Sequence, residues 1–234
     1  MDEKWHSGKC LVAFGAALCI LAAGISCISA ETAASKMQKD KWERLLDKYK
    51  DADSTEQLIF VKYKGGSQAE LVMFQKEASK AGNRWTEVLS CPAYVGKNGI
   101  GKTQEGDQRT PTGTFRILSA FGVKENPGTR LPYTVLNPYL YWSAERETYN
   151  QMVDIRETGV ENGEHLMDYQ PQYHYAMVIG YNQRGVYGKG SAIFLHVKGN
   201  TSYTAGCVSV TEKDMKKILK NATKRTKICI YSAS

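Results

Sequence analysis

The chain has 234 residues, 42% of them hydrophobic and 24% charged, with 31 Lys and Arg against 24 Asp and Glu for a formal charge of +7. That suits one sizeable core and one main domain. The basic excess accompanies an export-type N-terminus, which argues against nucleic acid as a partner. It reads instead as long-range, salt-sensitive attraction to anionic wall polymers or a membrane surface, or as scattered solubilising charge.

Lys4, His6 and Lys9 precede the apolar run Cys10–Ile28, which is 19 residues long. A basic stretch followed by an apolar one is the pattern of an export segment, and this one approaches the roughly 20 residues that span a bilayer. Ser29 and Ala30 are small enough for cleavage, although Ile28 is not, and Gly24-Ile-Ser-Cys27 offers acylation at Cys27 as an alternative. A cleaved signal peptide, a retained anchor or a lipidated terminus over 1–30 each place the bulk of the chain outside the cytoplasm. Residues 1–30 hold two Lys and two acidic residues, so cleavage leaves the charge balance unchanged.

Residues 31–50 are rich in helix formers, with Met37, Trp42, Leu45 and Tyr49 near one face, and predict a helical stalk over 31–55. The period then changes to two. Leu58–Lys64 and Ala69–Gln75 flank Gly65-Gly-Ser-Gln68 and predict a β-hairpin. Further strands are predicted at 85–89, 113–118, 173–181, 191–197 and 227–231, separated by Gly-, Asn- and Pro-rich segments, notably 96–113 and 122–138. One later helix is marked by Thr211, a cap residue with Asp214 three positions on, ahead of Met215, Ile218 and Leu219. Many strands, few helices and long loops predict a mainly β domain over 56–234 whose loops carry the function.

Cys10, Cys19 and Cys27 fall in the export segment, leaving Cys91, Cys207 and Cys229, an odd number in a disulfide-permissive space. His196 ends a predicted strand, and Thr204-Ala-Gly-Cys207 follows a turn eleven positions later. A catalytic thiol needs a base within hydrogen-bond reach and main-chain donors for the developing oxyanion. His196 would be that base, with Gly206 and Cys207 supplying the amides. Three other readings compete: a disulfide from Cys207 to Cys91 or Cys229, a buried inert thiol, and a metal site. A Cys91–Cys229 bridge would leave Cys207 free, and His165, His174 and His196 lack the spacing of a zinc site.

His196 followed by Thr204-Ala-Gly-Cys-Val-Ser-Val210, with Gly106-Asp-Gln-Arg-Thr-Pro-Thr-Gly-Thr-Phe115 upstream, resembles the L,D-transpeptidase family with its YkuD-type catalytic domain. The resemblance covers roughly residues 95–231. It implies a β-sandwich-like domain, a cysteine that forms a thioester with peptidoglycan stem peptides, and no metal or organic cofactor. Cys207 matches the nucleophile, His196 the general base and acid, Gly206 the oxyanion turn and Thr204 the hydroxyl residue of the family's Ser/Thr-His-Gly-Cys pattern. Ala205 stands where that pattern has a second histidine, and Ser209 where many members have arginine. Asp107 and Arg109 would pair to hold their loop or face the substrate, with Arg109 the first candidate for a stem-peptide carboxylate. Tyr149-Asn150, Glu164-His165 and Tyr181-Asn182 also look like this branch of the family, so Tyr149, Glu164 and His165 join the substrate-binding candidates. Tyr133, Tyr139, Tyr141, Trp142 and Tyr149 would line a groove or pack the core. With water in place of an acceptor amine, the same chemistry would make a carboxypeptidase. A retained fold with an inert Cys207 would be a wall-binding module.

Overall fold

The alternation that predicts the first hairpin is realised as β1 (Gln57–Gly65) and β2 (Gln68–Glu77), whose register closes at Gly65 opposite Gln68 across the turn. The computed structural model describes residues 42–78, 80, 82–159 and 161–232. Of the expected stalk, residues 42–50 are seen as helix α1 and 51–55 as irregular turn rather than helix; residues 31–41 and the export segment lie outside the described residues. From Leu46 onward the chain forms one compact unit. No helix among the described residues is long and apolar enough to cross a membrane.

The other main strands are β3 (Arg84–Tyr94), β4 (Gly113–Gly122), β5 (Tyr133–Val135), β9 (Ala176–Ile179), β10 (Phe194–Val197), β11 (Val208–Val210) and β12 (Thr226–Ser232). Their order is β12-β1-β2-β3-β11-β10-β9-β4-β5, and β12 also pairs with β4. The ladder therefore returns on itself, so its inward faces enclose a core built from Ile59, Val61, Leu71, Met73, Ile117, Met177, Leu195, Val208, Ile228 and Ile230, all essentially buried. The pairing of β12 with β4 covers the edge β12 would otherwise expose, and the three-residue β5 is left as a short edge strand. The mainly β expectation holds, and one continuous ladder supplies both layers.

Helix α3 (Glu212–Asn221) begins as its cap predicts: the Asp214 N–H donates to Thr211 Oγ1 at 3.2 Å, and Met215, Ile218 and Leu219 are buried against the core. The short strands β5 and β11 escape prediction, and so does a group of elements that follows β5. A small sheet of β6 (Leu140–Ser143), β7 (Met152–Asp154) and β8 (Gly163–His165) and the one-turn helix α2 (Ile155–Thr158) fold within the long 122–172 connection. The predicted strand 173–181 begins only at Ala176, because Gln172–His174 forms a 3-10 turn.

Candidate active site

Strand β10 carries His196 and pairs in parallel with β11, opposite Ser209, so Cys207 lies just before β11 and beside the start of β10. Cys207 Sγ accepts the Phe194 N–H at 3.3 Å and donates to the Ala192 carbonyl at 3.1 Å. His196 is buried, with Nδ1 at 2.7 Å from the Val197 carbonyl. A carbonyl can only accept, so the ring donates from Nδ1 and the neutral imidazole presents Nε2 as a lone-pair base. Burial pushes the Cys207 thiol up to about 12, Glu164 adding to the rise while the Phe194 amide and the Lys102 charge oppose it. Burial likewise pushes His196 down to about 4. At pH 7 the resting pair is a neutral thiol and a neutral imidazole.

The turn before Cys207 is fastened by two hydroxyls. Thr204 Oγ1 donates to the Cys207 carbonyl at 2.7 Å and accepts the Gly206 N–H at 3.1 Å. Thr110 Oγ1, fully buried, donates to the same carbonyl at 3.0 Å and accepts the Gly96 N–H at 2.8 Å. The Arg-Thr-Pro-Thr stretch thus acts on the Cys207 turn through Thr110, a role its spacing did not reveal. Gly206 has φ +152°, and a Cβ there would lie 3.1 Å from the Arg109 carbonyl oxygen and 3.3 Å from Ile193 Cδ1. Only glycine fits without strain. The expected pair of oxyanion amides is corrected in one respect: the Gly206 N–H is engaged by Thr204, which leaves the Cys207 amide as the main-chain candidate.

Asn150 explains two of the polar pairs singled out in the sequence. Its Oδ1 accepts from Trp142 Nε1 at 3.0 Å and from the Ala192 N–H at 3.1 Å, and its Nδ2 donates to the Tyr181 and Asn182 carbonyls. Ala192 is held at φ 53°, a left-handed conformation costly for a residue with a Cβ, and its carbonyl is the one that receives the thiol proton. Asn182 in turn accepts the Val186 N–H and donates to the Val186 and Gly190 carbonyls, fixing the loop that leads into Ala192.

A cavity of about 270 Å³ opens over these groups, lined by Cys207, His196, Ser209, Thr204, Gly206 and Ala205 together with Lys102, Glu105, Glu164, Tyr173, Gln172 and Ser191. Cys207 and His196 therefore share one chamber. Glu164 faces it too: Tyr173 Oη donates to its carboxylate at 2.8 Å, and desolvation and Glu105 raise its pKa. Tyr149 sits in an adjoining hollow that shares Glu105, Glu164 and Ser191, and donates its hydroxyl to Glu105.

Three other expectations are corrected. Asp107 does not pair with the Arg109 side chain; it accepts from Lys102 Nζ at 2.8 Å and from the Thr103, Gln104 and Arg109 amides, which hold its pKa at about 2 against burial. The exposed Arg109 guanidinium is turned back on its own loop and donates to the Ile100 carbonyl at 3.2 Å. His165 bridges Asp168 and the Pro138 carbonyl and stacks on Tyr141 at 4.7 Å, a structural role on β8. Of the aromatic set, Trp142 and Tyr149 line the adjoining hollow; Tyr133 donates to the Lys124 carbonyl, and Tyr139 lies beneath Arg156. Cys91, Cys207 and Cys229 are all free and buried, so among the described residues no disulfide competes for the thiol.

Lys102, Gln172 and Tyr173 were missed. Lys102 lies in a Gly-rich loop where a lysine reads as solvated surface, and Tyr173 was assigned to a strand. Gln172 Oε1 is buried without a hydrogen-bond partner among the described residues, which no sequence signal announces.

The family model of the L,D-transpeptidase catalytic domain, YkuD, matches residues 79–230. The chain belongs to the L,D-transpeptidase family. No curated protein matches it significantly. The match spans β3 to β11 and every residue named around Cys207. In this L,D-transpeptidase domain Ala205 and Ser209 both fall on the cavity wall. The chamber consequently has a small, uncharged surface at those two positions, and its ionic side chains come from Lys102, Glu105 and Glu164 instead.

Proposed function

We propose that the chain is an exported cysteine acyltransferase that cross-links peptidoglycan stem peptides by L,D-transpeptidation. One observation carries the reading: Cys207 and His196 open into the same cavity, with His196 locked by the Val197 carbonyl into the tautomer whose Nε2 accepts a proton. In the first half-reaction the Cys207 sulfur bonds to the carbonyl carbon on the L-centre of a diamino acid, and its proton passes to His196 Nε2. The C–N bond to the terminal D-residue then breaks, and His196 returns the proton to the leaving amine. An acceptor amine next attacks the thioester and gives its proton to His196; the C–S bond breaks and the sulfur is reprotonated. The Cys207 amide is the main-chain donor to the oxyanion in both halves. Gln172 Oε1 offers an acceptor for a peptide N–H of the donor strand. Glu105 and Glu164, shared by the cavity and the adjoining hollow, favour an amine-bearing acceptor over water. The apolar run Cys10–Ile28 supplies the export signal or anchor.

The test is intact-protein mass spectrometry of the chain from residue 31 incubated with a carbapenem. A stoichiometric adduct is expected on the wild type, absent in Cys207→Ala and formed far more slowly in His196→Ala. A wild-type thiol that stays unmodified by the carbapenem and by activated stem-peptide esters overturns the reading in favour of a wall-binding module.

A further inference from the structure

The turn at Cys207 poses a chemical problem. Attack on an amide carbonyl generates an oxyanion that is commonly held by two donors, and here the Gly206 amide is tied to Thr204 Oγ1 at 3.1 Å. A second donor stands beside that turn. The Lys102 side chain is 2% exposed, lines the cavity with Cys207, and places Nζ 3.7 Å from where a Cβ on Gly206 would be. Gly190, at φ +114°, is glycine where the stem passes: a Cβ there would come within 2.4 Å of Lys102 Cε. The ammonium is aimed from behind by Asp107 Oδ1 at 2.8 Å, and Asp107 is itself fixed by three main-chain amides. An ammonium has three N–H donors, and Asp107 takes one of them. A loop staple alone would not require its cation to be threaded past one glycine to the face of another. A fixed, dehydrated cation beside the nucleophile is a preorganised electrostatic group.

We propose that Lys102 is a catalytic residue whose ammonium holds the oxyanion formed when Cys207 attacks a carbonyl. This rests on Cys207 being the nucleophile. As the S–C bond forms, the carbonyl π pair moves to oxygen beside Lys102 Nζ, and the thiol proton passes to His196. As the tetrahedral intermediate collapses, that pair re-forms C=O and the leaving group departs with its bonding electrons, taking the proton from His196 if it is an amine.

Three probes separate this role from its alternatives. p-Nitrophenyl acetate acylates a thiol through an oxyanion and carries no carboxylate; a carbapenem has both features; iodoacetamide alkylates by displacement at carbon and has neither. In Lys102→Met, acylation by p-nitrophenyl acetate and by the carbapenem is expected to slow by about 10²–10³, the usual loss of one oxyanion donor. Alkylation by iodoacetamide should slow by less than about tenfold, the share owed to losing a charge near the thiol. Lys102→Gln keeps an N–H for Asp107 and carries the same comparison if the Met variant is not folded by circular dichroism. Equal losses for acylation and alkylation overturn the proposal in favour of thiol activation. A loss confined to the carbapenem overturns it in favour of carboxylate binding, and unchanged rates overturn it outright. A wild-type thiol inert to all three probes removes the nucleophile reading, and this proposal with it.

Discussion

Thr110 and Thr204 offer the sharpest test of how the nucleophile is positioned, because both hydroxyls converge on one atom, the Cys207 carbonyl oxygen, at 3.0 and 2.7 Å. Valine replaces either threonine without changing its shape. Thr110→Val leaves the buried Gly96 N–H without its acceptor, and Thr204→Val does the same to the Gly206 N–H. An orphaned buried donor costs about 1–3 kcal/mol. In each single variant the carbonyl keeps the other hydroxyl, so about 2 kcal/mol is the expected loss, a fall in Tm of about 4–8 °C for a domain of this size. The double variant strips both hydroxyls from the carbonyl and should exceed the sum of the singles by about 1–2 kcal/mol. Urea unfolding of the four proteins measures this coupling. Carbapenem acylation should fall about tenfold in each single and more than about 10² in the double, since small displacements of a nucleophile cost rate steeply. A double variant additive to within about 0.5 kcal/mol would refute the shared-carbonyl argument.

Other consequences are open to measurement. With the thiol pushed up to about 12 and His196 down to about 4, iodoacetamide alkylation of Cys207 should rise about tenfold per pH unit from pH 7 to 10; a plateau below pH 9 would show a standing thiolate–imidazolium pair instead. Carbapenem acylation, which uses neutral His196 as base, should be nearly flat over the same range and fall only in acid. Gly206→Ala places a Cβ 3.1 Å from the Arg109 carbonyl oxygen at a φ that disfavours side chains, and should cost about 1–3 kcal/mol of stability and most of the acylation rate; wild-type behaviour in both would sink the close-packing argument. Glu212 is held at about 2 by His174 and by Lys124. A depressed carboxyl stabilises above its unfolded pKa and ceases to as pH falls through its folded one. The stability gap between wild type and Glu212→Gln should therefore be full above about pH 5 and close towards pH 2, and a gap independent of pH would contradict that assignment.

The parts of the fold legible in the sequence are those whose signal is local. The β1–β2 hairpin is announced by alternation on both sides of Gly65-Gly-Ser-Gln68, and α3 by a cap and an apolar stripe that all fall within nine residues. Strands β6, β7 and β8 have three or four residues each. No periodicity can be read over so few positions, and such strands exist only because neighbours in space complete their hydrogen bonds. The predicted strand 173–181 includes Tyr173, yet a 3-10 turn instead presents its hydroxyl to Glu164.

The site divides along the same line. Cys207, Gly206 and His196 could be named because adjacent residues spell out a nucleophile turn. Asn150, Thr110 and Lys102 act on that turn from 57, 97 and 105 positions away respectively; the first two sit in motifs whose role shows only once the chain is folded, and Lys102 reads as ordinary loop composition until then. Arg109 shows the converse, a residue with suitable chemistry whose loop points it elsewhere. The same long-range contacts decide how the thiol behaves. Burial keeps Cys207 protonated and His196 neutral, and the thiol donates its hydrogen bond to the Ala192 carbonyl. A standing thiolate would be open to oxidation. A thiol that ionises only as a carbonyl arrives, with His196 taking the proton and fixed donors receiving the new charge on oxygen, reserves its nucleophilicity for acyl donors. On that argument, weakening the burial of Cys207 should raise its reactivity towards peroxide and alkylators before it raises acyl transfer.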